Sequence, residues 1–154
     1  MKNKARIFFI VMFILLFAFA RQIFFLSLGV LDGYSNFLFS IEHVKNTGSA
    51  FGMFSGNPYP LAVFGILVLV LLLFYVFKRL SFQNKLELLA CTFFGAGTFG
   101  NIFERLSLGH VEDYIKFNFI DFPVFNLFDV YICVGVFLYF LCIFLYKEEN
   151  ENQN

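Results

Sequence analysis

The sequence contains no tryptophan, only three prolines and two histidines, and few charged residues for a chain of 154. Charged residues make up 14% of it, whereas soluble domains usually carry about a quarter. The formal net charge is zero, so no basic or acidic excess indicates a nucleic acid partner or a polyanionic substrate. These shortages exclude an ordinary soluble domain and direct the search for function to a few polar side chains.

Cysteine and histidine are too sparse and too scattered to predict a disulfide framework or a metal site. The three cysteines lie within apolar runs and show no C-x-x-C spacing: Cys91, Cys133 and Cys142. This placement is typical of small membrane-buried side chains. His43 and His110 have no metal-ligand spacing. His110, Glu112 and Asp113 are close in sequence, but strand alternation would divide their side chains between two faces.

Apolar residues are abundant, at 60% of the chain, and 27 of them are phenylalanine. They form four segments of about 20 residues, each long enough to cross a hydrocarbon core of about 30 Å as a helix. The segments are, approximately, residues 7–28, 59–77, 86–103 and 124–146. We therefore predict an α-helical membrane protein with four transmembrane helices in a single membrane domain, residues 1–154.

The basic residues between these segments favour one orientation. Most of them precede the first segment, join the second to the third, or follow the fourth: Lys2, Lys4, Arg6, Lys78, Arg79, Lys85 and Lys147. The two longer connections, residues 31–58 and 104–123, hold only Lys45, Arg105 and Lys116. By the positive-inside rule, both termini are predicted in the cytoplasm and both longer connections outside.

The N-terminus has a second interpretation. A basic start, an apolar run and Ala18-Phe19-Ala20 are also typical of a cleavable signal peptide. We expect the segment to be retained, because the apolar run resumes after Arg21 and Gln22 and reaches spanning length.

The outer connections contain two predicted strands, at residues 37–45 and 111–119, both rich in aromatic and β-branched residues. Together they predict a small extracytoplasmic β-sheet on the membrane surface. Alternation in the second strand places Glu112, Tyr114 and Lys116 on the solvated face. Asp113 is then the lone acid on the apolar face.

Polar side chains form three clusters that are predicted at the outer boundary of the membrane. The clusters are NTGSAF at residues 46–51, GNIFERL at residues 100–106 and FNLFD at residues 125–129. Asn101 and Arg105 are i, i+4 neighbours on one helix face, and Asn126 and Asp129 are i, i+3 neighbours.

The third cluster follows a predicted helix start, with Asp121 in the N-cap region and Pro123 in the first turn. Asp129 would then lie about two turns into the helix, just beneath the membrane surface. Each cluster alone has a plain structural explanation. Asn46 could form a turn, and Arg105 could anchor a helix end at the interface.

Two acids from different elements, Asp113 and Asp129, could converge in a poorly hydrated site. Two carboxyl groups in such a site cannot both ionise cheaply, so they would share one proton. The ionised group can take a proton from water as it attacks a carbonyl carbon, and the protonated group can polarise that carbonyl. This is the chemistry of an aspartyl peptidase.

The blocks NTGSAF, GAGTFGNIFERLSLGHVEDYIKF and PVFNLFDVYICVG, in this order and spacing, closely resemble the signatures of the bacterial lipoprotein signal peptidases, or signal peptidase II. The resemblance implies a monomeric aspartyl endopeptidase of the bacterial inner membrane. Such enzymes remove the signal peptide of a prolipoprotein before its diacylglyceryl-modified cysteine, in contact with membrane lipid. No metal or organic cofactor is implied.

The resemblance also assigns roles to residues. Asp113 and Asp129 match the catalytic pair. Four polar residues match positions that support the site or hold the substrate backbone: Asn46, Asn101, Arg105 and Asn126.

The chain departs from the family pattern at several positions. Arg21 and Phe25 stand where the family usually has an acid and, one turn later, a lysine, and Glu104 replaces an aspartate. Phe128 replaces a small residue and is predicted to narrow the substrate groove. Arg21 has two interpretations: a structural cation that reaches the interface, or a partner of Asp129 that would oppose proton sharing.

Two alternatives to an active peptidase remain. The departures are consistent with a divergent paralogue that binds lipoprotein precursors with reduced or no cleavage. A small transporter would instead carry polar residues through the depth of several helices. Here they cluster at the outer face, and the second segment, LAVFGILVLVLLLFYVF, offers none, which disfavours transport.

Overall fold

Four long helices and one two-stranded sheet make up the computed structural model, which describes residues 2–49, 56–78 and 85–151. The elements are α1 (Lys2–Leu28), β1 (Phe39–Asn46), α2 (Tyr59–Lys78), α3 (Lys85–Leu108), β2 (Val111–Phe117) and α4 (Leu127–Glu151). All four helices are long and apolar enough to cross a membrane. The predicted fold class, four transmembrane helices with a small sheet, is confirmed.

Two helix boundaries near the polar clusters differ from the predicted ones. Helix α3 continues to Leu108, five residues beyond the predicted end at 103, and stops before Gly109. Gly109 has φ of 77°, a left-handed conformation that commonly terminates a helix and that glycine adopts without strain. Helix α4 begins at Leu127, so the predicted helix start at Asp121 and Pro123 is wrong.

The small residues of α3 make it the central helix. It contacts the other three helices, and 61% of its spanning residues are buried, against 17% or fewer in each of the others. A Cβ atom added at Gly97 would lie 2.4 Å from the carbonyl oxygen of Phe128, and one at Gly100 would lie 2.2 Å from the Phe128 ring. The absence of these side chains therefore allows α3 and α4 to pack backbone to backbone.

The strands β1 and β2 are antiparallel, with Val44 opposite Asp113 and Asn46 opposite Val111. Burial of Val111 and Asp113 agrees with the predicted apolar face. Tyr114 was predicted on the solvated face but is only 3% exposed, because its ring packs against Phe24 of α1, with centroids 5.8 Å apart. Helix α1 therefore covers this face of β2 at Tyr114, where alternation alone predicts contact with water.

The chain before α4 runs beside β2. The Ile115 N–H donates to the Phe125 carbonyl at 2.8 Å, and the Phe125 N–H donates to the Ile115 carbonyl at 3.0 Å. This pairing keeps the chain extended through Phe125 and delays the start of α4. It also places the next residue, Asn126, beside β2.

Candidate active site

Asn126 and Asp129 form the N-terminal cap of α4. The Asn126 Oδ1 accepts the Asp129 N–H at 3.0 Å, and the Asp129 Oδ2 accepts the Asn126 N–H at 3.1 Å. These reciprocal bonds form a capping box, in which the first and fourth residues satisfy each other's backbone groups. Asp129 therefore lies in the first turn of α4 rather than two turns in, with one carboxylate oxygen fixed by the helix start.

The Asp113 carboxyl receives one hydrogen bond at each oxygen. Asn46 donates to its Oδ2 at 2.8 Å, and Asn126 donates to its Oδ1 at 2.9 Å. Asp113 is 2% exposed and Asn126 is 1% exposed, so both lie away from the surface of the protein. The first and third polar clusters thus meet at the acid of β2.

The second cluster completes the connection to Asp129. Asn101 on α3 donates to the Asp129 Oδ1 at 2.7 Å and accepts from the Asn126 Nδ2 at 3.2 Å. The two carboxyl groups are therefore joined through the amide side chains of Asn101 and Asn126. We call the set Asn46, Asn101, Asp113, Asn126 and Asp129 the carboxyl–amide network.

Arg105 ties the loop after β1 to α3. Its guanidinium donates to the Gly48 carbonyl at 3.1 Å and to the Asn101 carbonyl at 3.3 Å. The Gly48 N–H donates to the Asn46 Oδ1 at 2.9 Å, which fixes the amide that faces Asp113. Ala50 and Phe51, the end of the first cluster, lie outside the described residues.

Burial dominates the electrostatics of Asp113. It raises the pKa of this carboxyl to about 7, because the charged form is poorly solvated. The negative charge of Asp129 raises the pKa further, while the hydrogen bonds from Asn46 and Asn126 and the charge of Arg105 lower it. Asp113 can therefore hold a proton close to neutral pH.

A cavity of about 230 Å³ opens beside the network, between α2, α3 and α4. Its polar lining consists of Thr98, Asn101 and Arg105, and the rest of its wall is apolar. The Arg105 Nε is buried and, among the described residues, has no hydrogen-bond partner. The cavity therefore combines a mostly apolar wall with one positively charged side chain.

The structure overturns one interpretation of the departures and leaves another as a prediction. Arg21 donates to the Glu104 Oε1 at 2.8 Å, so its partner is Glu104 rather than Asp129. Phe128 is 3% exposed and its ring stacks on Phe17, with centroids 5.8 Å apart. It fills the space between α4, α1 and α3, and it is not among the residues that line the cavity at Asn101. That it narrows the substrate groove stays a prediction.

Glu104 is the residue whose importance the sequence did not reveal. It is 2% exposed, and its Oε2 accepts the backbone N–H of Glu112 at 2.9 Å. The available signal was an acid directly after the third apolar segment and an arginine near the same end of the first. The His110 Nε2 lies 2.8 Å from the Glu112 carboxylate.

The chain is similar to lipoprotein signal peptidases in sequence and to a solved membrane enzyme in fold. The lipoprotein signal peptidase of Streptococcus thermophilus is 38% identical over 118 residues, which cover 76% of this chain and 74% of that protein. The one from Enterococcus faecalis is 31% identical over 134 residues, or 84% of this chain and 80% of that protein. A solved structure described as a bacterial membrane enzyme superposes with a TM-score of 0.78 at 25% identity, covering 93% of this chain and 90% of that one.

The family model of signal peptidase (SPase) II matches residues 16–145, a range that contains the whole carboxyl–amide network. The order of the three polar blocks, the four helices and these matches lead to one conclusion. The chain belongs to the signal peptidase II family.

Proposed function

We propose that this protein is a membrane aspartyl endopeptidase that removes the signal peptide of prolipoproteins before the diacylglyceryl-modified cysteine, with Asp113 and Asp129 as the catalytic pair. The observation that carries the proposal is the link between the two carboxyl groups through Asn101 and Asn126, at one end of an apolar helix bundle. The names of the relatives and the family model support the substrate class.

The reaction needs one protonated and one ionised carboxyl group. Asp113, whose pKa is raised to about 7 by burial, supplies the proton that polarises the scissile carbonyl oxygen. Asp129 takes a proton from water as the water oxygen bonds to the carbonyl carbon. When the C–N bond breaks, Asp129 gives this proton to the leaving amine, and Asp113 recovers its own from the tetrahedral intermediate.

The four supporting residues act on position and charge. Asn46, Asn101 and Asn126 hold the carboxyl oxygens in fixed directions, which limits the reorganisation needed during proton transfer. Arg105 keeps the loop at Gly48 against α3 and places a positive charge at the wall of the cavity beside Asn101.

The site lies at the outer face of the bacterial cytoplasmic membrane in this proposal. The sheet follows the ends of α1 and α3, whereas Arg6, Lys78 and Lys85 lie at the opposite ends of their helices. Basic residues favour the cytoplasmic side, so the sheet and both carboxyl groups face outward. We propose further that one chain is sufficient for activity, because the carboxyl–amide network is already connected within it.

The deciding experiment incubates the purified protein with a diacylglyceryl-modified prolipoprotein peptide and measures cleavage. Wild type should cut before the modified cysteine, and Asp113→Asn and Asp129→Asn should each lower the rate by about 100- to 10,000-fold, the usual contribution of a general acid or base. Glu42→Gln, which removes an exposed acid from the same sheet, is the matched control and should cleave like wild type.

Two outcomes would contradict the proposal. Cleavage at the wild-type rate by either Asn variant would remove that acid from the mechanism. A folded wild type that binds the peptide without cutting it would favour the divergent paralogue instead.

A further inference from the structure

An ion pair outside the carboxyl–amide network joins three elements at one carboxylate. Arg21 on α1 donates to the Glu104 Oε1 at 2.8 Å, and the Glu104 Oε2 accepts the backbone N–H of Glu112 at 2.9 Å. Glu104 is 2% exposed, so both of its oxygens are committed inside the protein. One buried acid of α3 therefore holds both α1 and the beginning of β2.

The Arg21 guanidinium is held in place by aromatic rings of its own helix. Its Cζ lies 4.8 Å from the centroid of Phe24 and 5.2 Å from that of Phe25, within the range of cation–π attraction. The Phe24 ring in turn packs against Tyr114, at 5.8 Å. Phe25 thus serves as part of the aromatic platform for the arginine.

These contacts reach β2 at the two residues on either side of Asp113. Glu112 is fixed through its backbone N–H by Glu104, and Tyr114 is fixed through its ring by Phe24. Both routes lead back to Arg21. Catalysis depends on placing a reacting carboxyl within a fraction of an ångström, so the backbone around Asp113 has to be held on both sides.

A buried carboxylate that loses its cation is strongly destabilising, because its charge is no longer compensated. It becomes more stable if it reaches water or another hydrogen-bond donor. Without Arg21, Glu104 would either turn away from the Glu112 N–H or take up a proton. In both cases β2 would lose a charge-assisted hydrogen bond at the residue before the catalytic acid. Asp113 would then shift in position, although Asn46 and Asn126 would still be present to bind it.

We propose that Arg21 and Glu104 are positioning residues for peptide cleavage, which act by fixing the backbone on both sides of Asp113. The inference rests on the proposed function. The proposed role differs from a purely structural one because it concerns the rate of the chemical step.

The kinetic test compares wild type with Arg21→Met, Arg21→Lys and the double variant Arg21→Met/Glu104→Gln on the same peptide. Arg21→Met should lower kcat by about 10- to 100-fold, the cost of misplacing a reacting group, with KM changed by less than about threefold. Arg21→Lys keeps the cation and should recover most of kcat. The double variant leaves no stranded charge, so it should fold and still show the lowered kcat.

The matched control is Lys116→Met, which breaks the exposed Lys116–Glu42 ion pair on the same strand and should leave kcat unchanged. A loss of folded protein with normal kcat per folded molecule in the Arg21 variants would overturn the proposal and leave a structural role only. An equal loss of kcat in Lys116→Met would also overturn it, because the effect would then belong to β2 in general.

Hydrogen exchange at residues 111–114, followed by mass spectrometry in detergent, gives a readout that does not need activity. Exchange at the Glu112 amide should be faster in Arg21→Met than in wild type, and unchanged in Lys116→Met. If wild type does not cleave the peptide, the proposed function is wrong. Faster exchange in Arg21→Met would still show that Arg21 stabilises the backbone of β2. Unchanged exchange would overturn the positioning role whatever the activity.

Discussion

Asn126 uses each of its polar groups in the site. Its Oδ1 and its N–H form the capping box with Asp129, and its Nδ2 donates to both Asp113 and Asn101. A single residue thus begins α4 and connects the two acids. The sequence placed Asn126 and Asp129 on one helix face, but it did not reveal that Asn126 is the cap itself.

The raised pKa of Asp113 predicts a pH dependence of cleavage. Its pKa rises from the ordinary 3.8 to about 7, chiefly through burial, so the protonated form required for catalysis is present below pH 7 and lost above it. We expect kcat/KM to fall by about tenfold per pH unit above pH 7. A pH profile of peptide cleavage measures this, and Glu42→Gln should follow the same curve.

The same shift predicts the sign of a stability change. Between about pH 4 and pH 7 the folded state holds a proton on Asp113 that the unfolded state has released, so this group lowers stability as the pH rises. The slope is at most about 1.4 kcal/mol per pH unit. The unfolding free energy of Asp113→Asn should not show this dependence on pH. An identical slope in the variant and in wild type would contradict the raised pKa of Asp113.

At the scale of elements, the contact between α3 and α4 depends on missing side chains. Gly97 faces the Phe128 carbonyl oxygen and Gly100 faces the Phe128 ring, so the same residue of α4 limits both positions. The two contacts differ in kind. Mutation can remove the Phe128 ring that faces Gly100, but it cannot remove the backbone oxygen that faces Gly97. This difference can be tested.

Gly100→Ala should destabilise the protein by about 1–3 kcal/mol through overpacking, and Phe128→Ala by about 3–5 kcal/mol through a cavity. The double variant should cost less than the sum, because shortening Phe128 makes room for the new methyl group. Gly97→Ala should not be relieved by Phe128→Ala. Unfolding in detergent measures all of these, with Gly29→Ala, whose Cβ would meet no atom closer than 3.8 Å, as the control.

The start of α4 shows where local signals were insufficient. Asp121 and Pro123 are good helix-start residues, yet the helix begins at Leu127. The backbone pairing between Phe125 and Ile115 holds the intervening chain extended. A contact with β2 therefore overrides the helix-start preference of the sequence.

At the scale of the whole molecule, the proposed orientation predicts opposite labelling of the two ends. In intact cells, a membrane-impermeant maleimide should react with Glu42→Cys on the sheet but not with Lys85→Cys at the start of α3. Lys85→Cys should react once the membrane is permeabilised. The unmodified chain is the control and should not be labelled, because Cys91, Cys133 and Cys142 lie within α3 and α4. The reverse pattern would invert the orientation.

The sequence alone determined the four membrane spans, the three polar blocks and the family. Whether a segment can cross a membrane depends on its own length and hydrophobicity. The order of the three polar blocks is likewise a property of the sequence itself. Only the tertiary structure decided that Arg21 pairs with Glu104, that Tyr114 is buried and that Asn126 caps α4. Each of these depends on which distant segments meet, and Arg21 and Glu104 are 83 residues apart in the chain.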